Sequence, residues 1–125
     1  MTDQIVEPTS IGLSERNHSW LTRFKEEKVF SEMIDAYRFA FSYALSKGVI
    51  PDEIKENRKT TFSVSTFDPD KDIYVTLQCL IPNIDGPVYR VAERLADWGM
   101  TELVKEYQSG RLNLVRIIEK ASKAP

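Results

Sequence analysis

The chain has 125 residues, of which 42% are hydrophobic and 29% charged, and its formal net charge is −2. This length and mixture predict one folded domain with a substantial core and exclude a disordered chain. The negative balance excludes a general attraction to phosphate, so any contact with nucleic acid must come from a local basic patch.

The cysteine count and the hydropathy predict where the protein resides. Cys79 is the only cysteine, so no disulfide can form within the chain, and its apolar neighbours predict a buried thiol. The first ten residues lack the basic and apolar regions of a signal peptide, and eighteen apolar residues never run together. We therefore expect a cytoplasmic protein with no membrane partner. The expected organisation is a flexible arm over residues 1–8, a single globular domain over 9–121 and a frayed end over 122–125.

The first organised segment predicts a strand followed by a helix. In "SIGLS", the apolar residues Ile11 and Leu13 alternate with small residues, which is typical of a short strand. Ser14 can then accept a hydrogen bond from the free amides of a helix that runs to about Lys28. The apolar residues of this helix form one stripe, so one face is expected to be buried.

The second helix is predicted to be the centre of the molecule. Ser31 is a good N-cap, and Gly48 can take the left-handed conformation that ends a helix. Most side chains between them are apolar, so this helix needs cover on most sides, which a chain of this size seldom supplies alone. We therefore predict a homodimer or a higher oligomer. The expected interface residues on this helix are Ile34, Tyr37, Phe41 and Leu45.

The middle of the chain leaves one choice open. Residues 61–67 alternate in the manner of a second strand. The apolar residues of the next stretch fit a strand as Ile73, Val75, Leu77 and Cys79, and a helix as Ile73, Leu77, Leu80 and Ile81. Asp68 as a cap and Pro69 at the first helical position favour a helix over residues 69–81. A hairpin through residues 68–72 is the alternative.

The last third of the chain is predicted to be helical. One helix begins at Pro87 and ends at Gly99, a second ends at Gly110, and a third begins at Asn113. Together these patterns predict a mainly α fold, described as α+β with one or two short strands. The expected architecture is a compact helical domain that begins with a strand-helix-helix unit.

No pattern in the sequence predicts a metal site, a cofactor or catalysis. His18 is the only histidine and Cys79 the only cysteine, so the usual ligands of zinc are missing. The carboxylates of "DPDKD" have the spacing of a calcium-binding loop, but Ile73 stands where that loop needs glycine and Cys79 where it needs glutamate. A nucleophile needs an adjacent base, and none is recognisable. We therefore expect no cofactor, no metal and no enzymatic activity.

The opening of the domain resembles a known DNA-binding family. The stretch "IGLS" leads into the first predicted helix, and "SEMI" opens the second. This order resembles the ribbon-helix-helix family of dimeric DNA-binding proteins, whose paired strands enter the major groove. The resemblance implies that Ile11 and Leu13 point into the dimer core. It also implies that Ser10 and Gly12 face the bases and that Ser31 binds phosphate at a helix start.

The same region also resembles a second family. The stretches "LSERNHSWLTRFK" and "YRFAFSYAL" are similar to the small helical accessory protein of bacterial DNA phosphorothioation systems, a DNA-associated component without recognisable catalytic residues. This resemblance implies contact with the DNA backbone through basic side chains. The candidates are Arg23, Lys25, Lys28 and Arg38, and a DNA-binding face would also gather Arg16.

The expected function is a non-enzymatic, DNA-associated accessory or regulatory protein of bacterial type that acts as a homo-oligomer. The alternative is a scaffold subunit that binds other proteins of a bacterial complex and does not contact DNA. The expected partners are therefore further copies of the chain and DNA or, under the alternative, another protein subunit. A DNA-binding protein of net negative charge must gather its basic residues on one face. Such a face would favour the DNA-associated role, and scattered basic residues would favour the scaffold role.

Overall fold

A computed structural model describes residues 6–110 as a mainly helical fold with a two-stranded sheet. The strands are β1 (Ser10–Ser14) and β2 (Arg58–Ser63). The helices are α1 (Glu15–Glu26), α2 (Met33–Ser46), α3 (Val64–Phe67), α4 (Asp72–Leu80) and α5 (Val88–Gln108). The predicted α+β class is confirmed. The helix predicted from Asn113 and the end predicted to fray lie outside the described residues.

The two strands pair within one chain. β1 runs antiparallel to β2, with Leu13 opposite Lys59, Ile11 opposite Phe62, and a bulge between Ile11 and Gly12. A Cβ atom on Gly12 would lie 1.9 Å from the carbonyl oxygen of Lys59, so the close approach of the strands requires glycine. β1 therefore finds its pairing strand in its own chain.

The first helix begins where the sequence predicts. Ser14 is its N-cap, and the hydroxyl of Ser14 accepts a hydrogen bond from the amide of Asn17 at 3.5 Å. The helix ends at Glu26, earlier than predicted, because the backbone of Lys28 is left-handed with φ of 60°. The core face of α1 carries the buried side chains of Leu21 and Phe24.

The predicted cap of the central helix is wrong. Glu32 and not Ser31 is the N-cap of α2, and no side chain caps this helix. Gly48 takes a φ of 69° just after the helix, as predicted. Ala40 and Ala44 are fully buried and present little bulk on the face that packs against α5.

The second strand lies earlier in the chain than predicted. The sequence alternation favours residues 61–67, but β2 ends at Ser63 and the rest of that range forms the short helix α3. The hydroxyl of Ser63 accepts a hydrogen bond from the amide of Thr66 at 3.2 Å, so Ser63 acts as a helix cap. The turn directs the Phe67 side chain into the core.

Residues 69–81 contain a helix and not the alternative hairpin. α4 begins at Asp72, later than Pro69 predicts, because Lys71 has a left-handed backbone with φ of 60° at the N-cap. The carboxylate of Asp68 still accepts hydrogen bonds from two amides of this helix, those of Ile73 at 3.0 Å and Tyr74 at 2.9 Å.

The two helices predicted on either side of Gly99 are one helix. α5 passes through Gly99 without interruption. A Cβ atom on Gly99 would lie 2.0 Å from the carbonyl oxygen of Ala40, so this glycine permits the close packing of α5 on α2. The predicted stop is therefore wrong, because the glycine serves packing and not helix termination.

The core lies between α2 and α5, with the sheet, α1 and α4 around it. Tyr37 is fully buried, and its ring meets those of Phe62 and Phe67 edge to face at centroid distances of 5.3 Å. Its hydroxyl donates a hydrogen bond to the carbonyl oxygen of Gly12 at 3.0 Å. The centre of α2 thus anchors β1.

The helices within residues 6–110 can be compared with the requirements of a membrane span. None of them combines the length and the apolar composition that crossing a bilayer requires.

Candidate functional site

Helix α4 is held on the core by one of its sides. Leu77 is fully buried, and Tyr74 packs against Tyr89 near the start of α5 with ring centroids 5.5 Å apart. The Asp68 carboxylate joins the two helices, because it caps α4 and also accepts a hydrogen bond from the hydroxyl of Tyr89 at 2.8 Å. Burial and this hydrogen bond raise the pKa of Tyr89.

The opposite side of α4 is exposed and also carries apolar side chains. Positions i, i+3, i+4, i+7 and i+8 share one face of a helix. Here they form what we call the α4 surface: Asp72, Val75, Thr76, Cys79 and Leu80. Val75 is 54% exposed and Leu80 60% exposed. Cys79, predicted to be buried, is exposed, because α4 covers the core with its other side.

Acidic side chains predominate around the α4 surface. Asp70 and Asp72 lie at its start and Asp85 follows its end, and all three are exposed. Lys71 is the exposed basic residue among them. The α4 surface therefore combines apolar side chains with a negative margin.

A small cleft lies next to the α4 surface. Its volume is about 200 Å³ and its lining consists of Glu7, Tyr74, Gln78, Ile81, Pro82, Ile84, Gly86 and Val88. Pockets that hold metabolites or drug-sized molecules have volumes of about 300–1,000 Å³. This cleft is better suited to an aliphatic side chain than to a small-molecule substrate.

Glu7 closes one end of this cleft. This residue belongs to the arm predicted to be flexible, yet its carboxylate accepts hydrogen bonds from the amides of Val88 at 2.8 Å and Tyr89 at 2.9 Å. A carboxylate at this position is stabilised by the positive end of the α5 dipole. Residues around Glu7 are thus fixed to the start of α5.

A second candidate site is the buried polar network where β1 meets α5. Glu93 is 3% exposed, and its carboxylate accepts a hydrogen bond from the amide of Gly12 at 2.8 Å. The same carboxylate pairs with Arg58 at 2.7 Å and Arg90 at 3.2 Å. Burial raises the pKa of Glu93, and the Gly12 amide and Arg58 offset part of that rise.

Asp97 extends this network by one helical turn. Its Oδ1 atom accepts hydrogen bonds from the amide and the hydroxyl of Ser14 and from the side-chain amide of Asn17, each at 2.9 Å. Four residues along a helix span about 6.0 Å and two along a strand about 6.7 Å, so Glu93 and Asp97 match alternate amides of β1. The two carboxylates occupy the edge of β1 where a third strand would otherwise pair.

The network is complete without a ligand. Within residues 6–110, no buried side-chain nitrogen or oxygen lacks a hydrogen-bond partner. Buried carboxylates and arginines that bind one another and the backbone stabilise a fold, and no unpaired group points into a cavity from them. We assign this network to the anchoring of β1.

The residues that the ribbon-helix-helix resemblance directs toward bases do not form a free surface. Gly12 is buried, its amide is bound to Glu93, and its Cα faces the carbonyl oxygen of Lys59. Ser10 is half-buried and pairs with Ser63 of β2. Gly12 can reach a base only if the pairing of β1 and β2 is undone.

Three of the five basic residues expected to contact DNA pair with carboxylates. Arg16 pairs with Glu56 at 3.3 Å, Arg23 with Glu27 at 2.6 Å and Lys25 with Glu32 at 3.3 Å. Lys28 is exposed beyond the end of α1, and Arg38 donates a hydrogen bond to the carbonyl oxygen of Thr66 at 2.7 Å. Each arginine and Lys25 therefore has a partner within its own chain.

The predicted phosphate site at Ser31 has a different environment from the one expected. Ser31 is exposed but lies outside the helix, and the N-cap position is held by Glu32. Glu32 pairs with Lys25 at 3.3 Å, and its carboxylate would repel a phosphate that approached this helix start.

Four of the residues expected at a subunit interface lie inside the chain's own core. Ile11, Leu13 and Tyr37 are fully buried and Phe41 is 5% exposed. Their cover comes from β2, α3 and α5, so the apolar character of α2 does not require a second copy at these positions. Among the expected interface residues, Ile34 and Leu45 remain half-buried and partly accessible.

Sequence reasoning missed the α4 surface, but the sequence contained its signal. The apolar residues of this segment fit a strand and a helix equally well. A helix with apolar residues on both its inner and outer sides produces that ambiguity, because the outer set adds positions that a one-sided helix leaves polar. A segment whose apolar residues fit both the strand period and the helix period can therefore be a helix with two apolar faces.

Comparisons with known proteins and a search for metal ligands identify no further site. The chain matches no protein-family model, no curated protein and no solved structure. Among residues 6–110, no three His, Cys, Asp or Glu side chains are grouped closely enough to hold a metal ion.

Proposed function

We propose that this chain is a non-enzymatic interaction subunit that binds a partner protein through the α4 surface. The observation that carries this proposal is the second apolar face of α4, on which Val75 and Leu80 are more than half exposed beside Cys79. Single exposed apolar residues are common, but a contiguous set on one helix face is typical of a binding surface.

The rest of the described surface supports the same choice. The other large apolar residues with high exposure, Val6 and Ile50, lie in segments outside the helices and strands. Helices that bind proteins place apolar anchors at i, i+3, i+4 and i+7, and Val75 and Cys79 have the i, i+4 spacing, with Leu80 next to Cys79. The neighbouring cleft of about 200 Å³ can receive one further apolar side chain of the partner.

Site-specific photo-cross-linking tests this proposal. A photoreactive amino acid at Thr76, in the middle of the α4 surface, should form a discrete cross-linked complex in the source cells. The same amino acid at Thr22, an exposed position on α1, is the matched control and should not. Leu80→Asp in the Thr76-labelled protein should abolish the complex. Equal cross-linking from the two positions, or persistence in Leu80→Asp, would contradict the proposal.

A DNA-associated accessory role is the second candidate. Lys59 is exposed on β2, and its positive charge contributes, after burial, to a lowered pKa of His18. This places an exposed positive charge of β2 close to α1. A DNA shift assay at increasing salt tests the DNA-associated role: binding should weaken as salt rises and should be lost in Lys59→Glu. Binding that ignores either change would exclude this role.

A further inference from the structure

The chemistry of the α4 surface specifies the kind of segment that can cover it. Val75 and Leu80 need an apolar face, and the exposed carboxylates of Asp70, Asp72 and Asp85 favour positive charge at its edges. A basic segment with closely spaced aliphatic residues meets both requirements. This inference rests on the proposed function and names the partner.

The chain itself contains such a segment. Residues 111–125 carry four basic side chains and one acidic one, so they are positive although the whole chain is negative. Their large apolar residues are Leu112, Leu114, Val115, Ile117 and Ile118. The segment 111–125 is thus complementary to the α4 surface in charge and in hydropathy.

Within one chain, the segment begins at the opposite end of α5 from this surface. Tyr74 of α4 packs against Tyr89 at the start of α5, whereas Gly110 follows the end of α5. A helix of this length spans about 30 Å. Ile118 is the last large apolar residue of the segment, and even a fully extended chain reaches only about 27 Å from Gly110 to it. The aliphatic residues therefore fit the surface of another copy better than their own.

We propose that segment 111–125 of a second copy docks on the α4 surface, so that copies associate by exchanging this segment. In a reciprocal dimer, the segment of each copy covers the α4 surface of the other, so two equivalent interfaces form. Their combined buried area is closer to the area that a stable dimer needs. The apolar contact supplies affinity, and the charges at the margin make the association sensitive to salt.

Light scattering on the full chain tests this proposal. The native protein should be dimeric or larger at micromolar concentration and should dissociate on dilution. Leu80→Asp on the α4 surface and Ile118→Asp in the segment should each raise the dissociation constant at least tenfold. Ile50→Asp, at an apolar residue that is 71% exposed and lies outside α4, is the matched control and should leave the association unchanged.

Mixing the two interface variants separates a lost contact from a lost fold. The Ile118→Asp copy retains a native α4 surface and the Leu80→Asp copy retains a native segment, so an equal mixture restores one of the two contacts. The mixture should therefore associate more strongly than either variant alone. A native chain that stays monomeric, variants that associate normally, or a mixture without any gain would overturn the proposal. The proposed function would still stand in those cases if the Thr76 cross-link to a different protein persisted.

Discussion

Gly99 occupies the middle of the longest helix in the described chain because of what lies opposite it. No side-chain atom can fit between its Cα and the carbonyl oxygen of Ala40. The local sequence predicts that the helix ends at Gly99, since glycine is the usual residue after a helix end. Its partner in α2 is distant in the chain, so local patterns could not reveal the packing role.

The substitution Gly99→Ala decides between these two roles by its sign. If packing dominates, the added methyl group should lower the free energy of unfolding by about 1–3 kcal/mol. If the glycine were only a weak helix former, alanine should raise stability by about 1 kcal/mol. Urea denaturation measures the difference, and Ser42→Ala on the exposed side of α2 serves as the control. Greater stability of Gly99→Ala would contradict the packing described here.

His18 gives the fold a pH dependence that one substitution can isolate. Burial first, and then the charge of Lys59, lowers the pKa of His18 from 6.5 in the folded state. The unfolded chain therefore takes up a proton before the folded chain does. The contribution of His18 to the free energy of unfolding should therefore fall as the pH drops below 6.5 and should stay constant above that pH. His18 is the only histidine, so His18→Gln should remove that fall. An identical pH profile in the variant would contradict this assignment.

At the scale of elements, β1 is fixed along both edges. β2 pairs with one edge, and the carboxylates of Glu93 and Asp97 bind the amides of Gly12 and Ser14 on the other. The short strand can therefore form part of the core although its sheet has two strands. The sequence predicts β1 from alternation, but the carboxylates that hold it come from the other end of the domain.

Two substitutions at Asp97 test this anchoring. Asp97→Ala leaves the amide and the hydroxyl of Ser14 without an acceptor and removes one of the three acceptors of the Asn17 side chain. The free energy of unfolding should therefore fall by about 2–4 kcal/mol. Asp97→Asn should cost clearly less, because all three side-chain bonds use one oxygen, Oδ1, that asparagine retains. Thermal and urea unfolding give both values. An equal loss in the two variants would show that the charge, and not the acceptor geometry, holds the strand.

Helix positions were predictable where a local signal controls them. Ser14 caps α1 and the Asp68 carboxylate caps the start of α4, as the sequence indicates. The prediction was wrong where tertiary contacts or unusual backbone angles decide, as at Glu32, where α2 starts without a side-chain cap, and at Lys71, where a left-handed residue delays α4. Local patterns place most elements within a few residues, and packing decides the rest.

At the scale of the whole molecule, the proposed docking surface is on α4. The sequence assigns the excess apolar surface to α2, but α5 and the sheet cover Tyr37 and Phe41. Within the described helices and strands, the most exposed large apolar residues are Val75 and Leu80, on a short helix that packs at the start of α5. The candidate site therefore depends on how the helices pack, which residue types alone do not show.

The reactivity of the Cys79 thiol tests the central claim most directly. Cys79 is exposed in the middle of the α4 surface, so a thiol-specific reagent should modify it rapidly in dilute purified protein. In the source cells, a bound partner should slow this reaction at least tenfold relative to a cysteine placed at Thr22 in a Cys79→Ser background. Leu80→Asp should restore rapid modification of Cys79 in cells. If Cys79 reacts as fast in cells as in dilute solution, relative to the control position, the α4 surface is not a docking site.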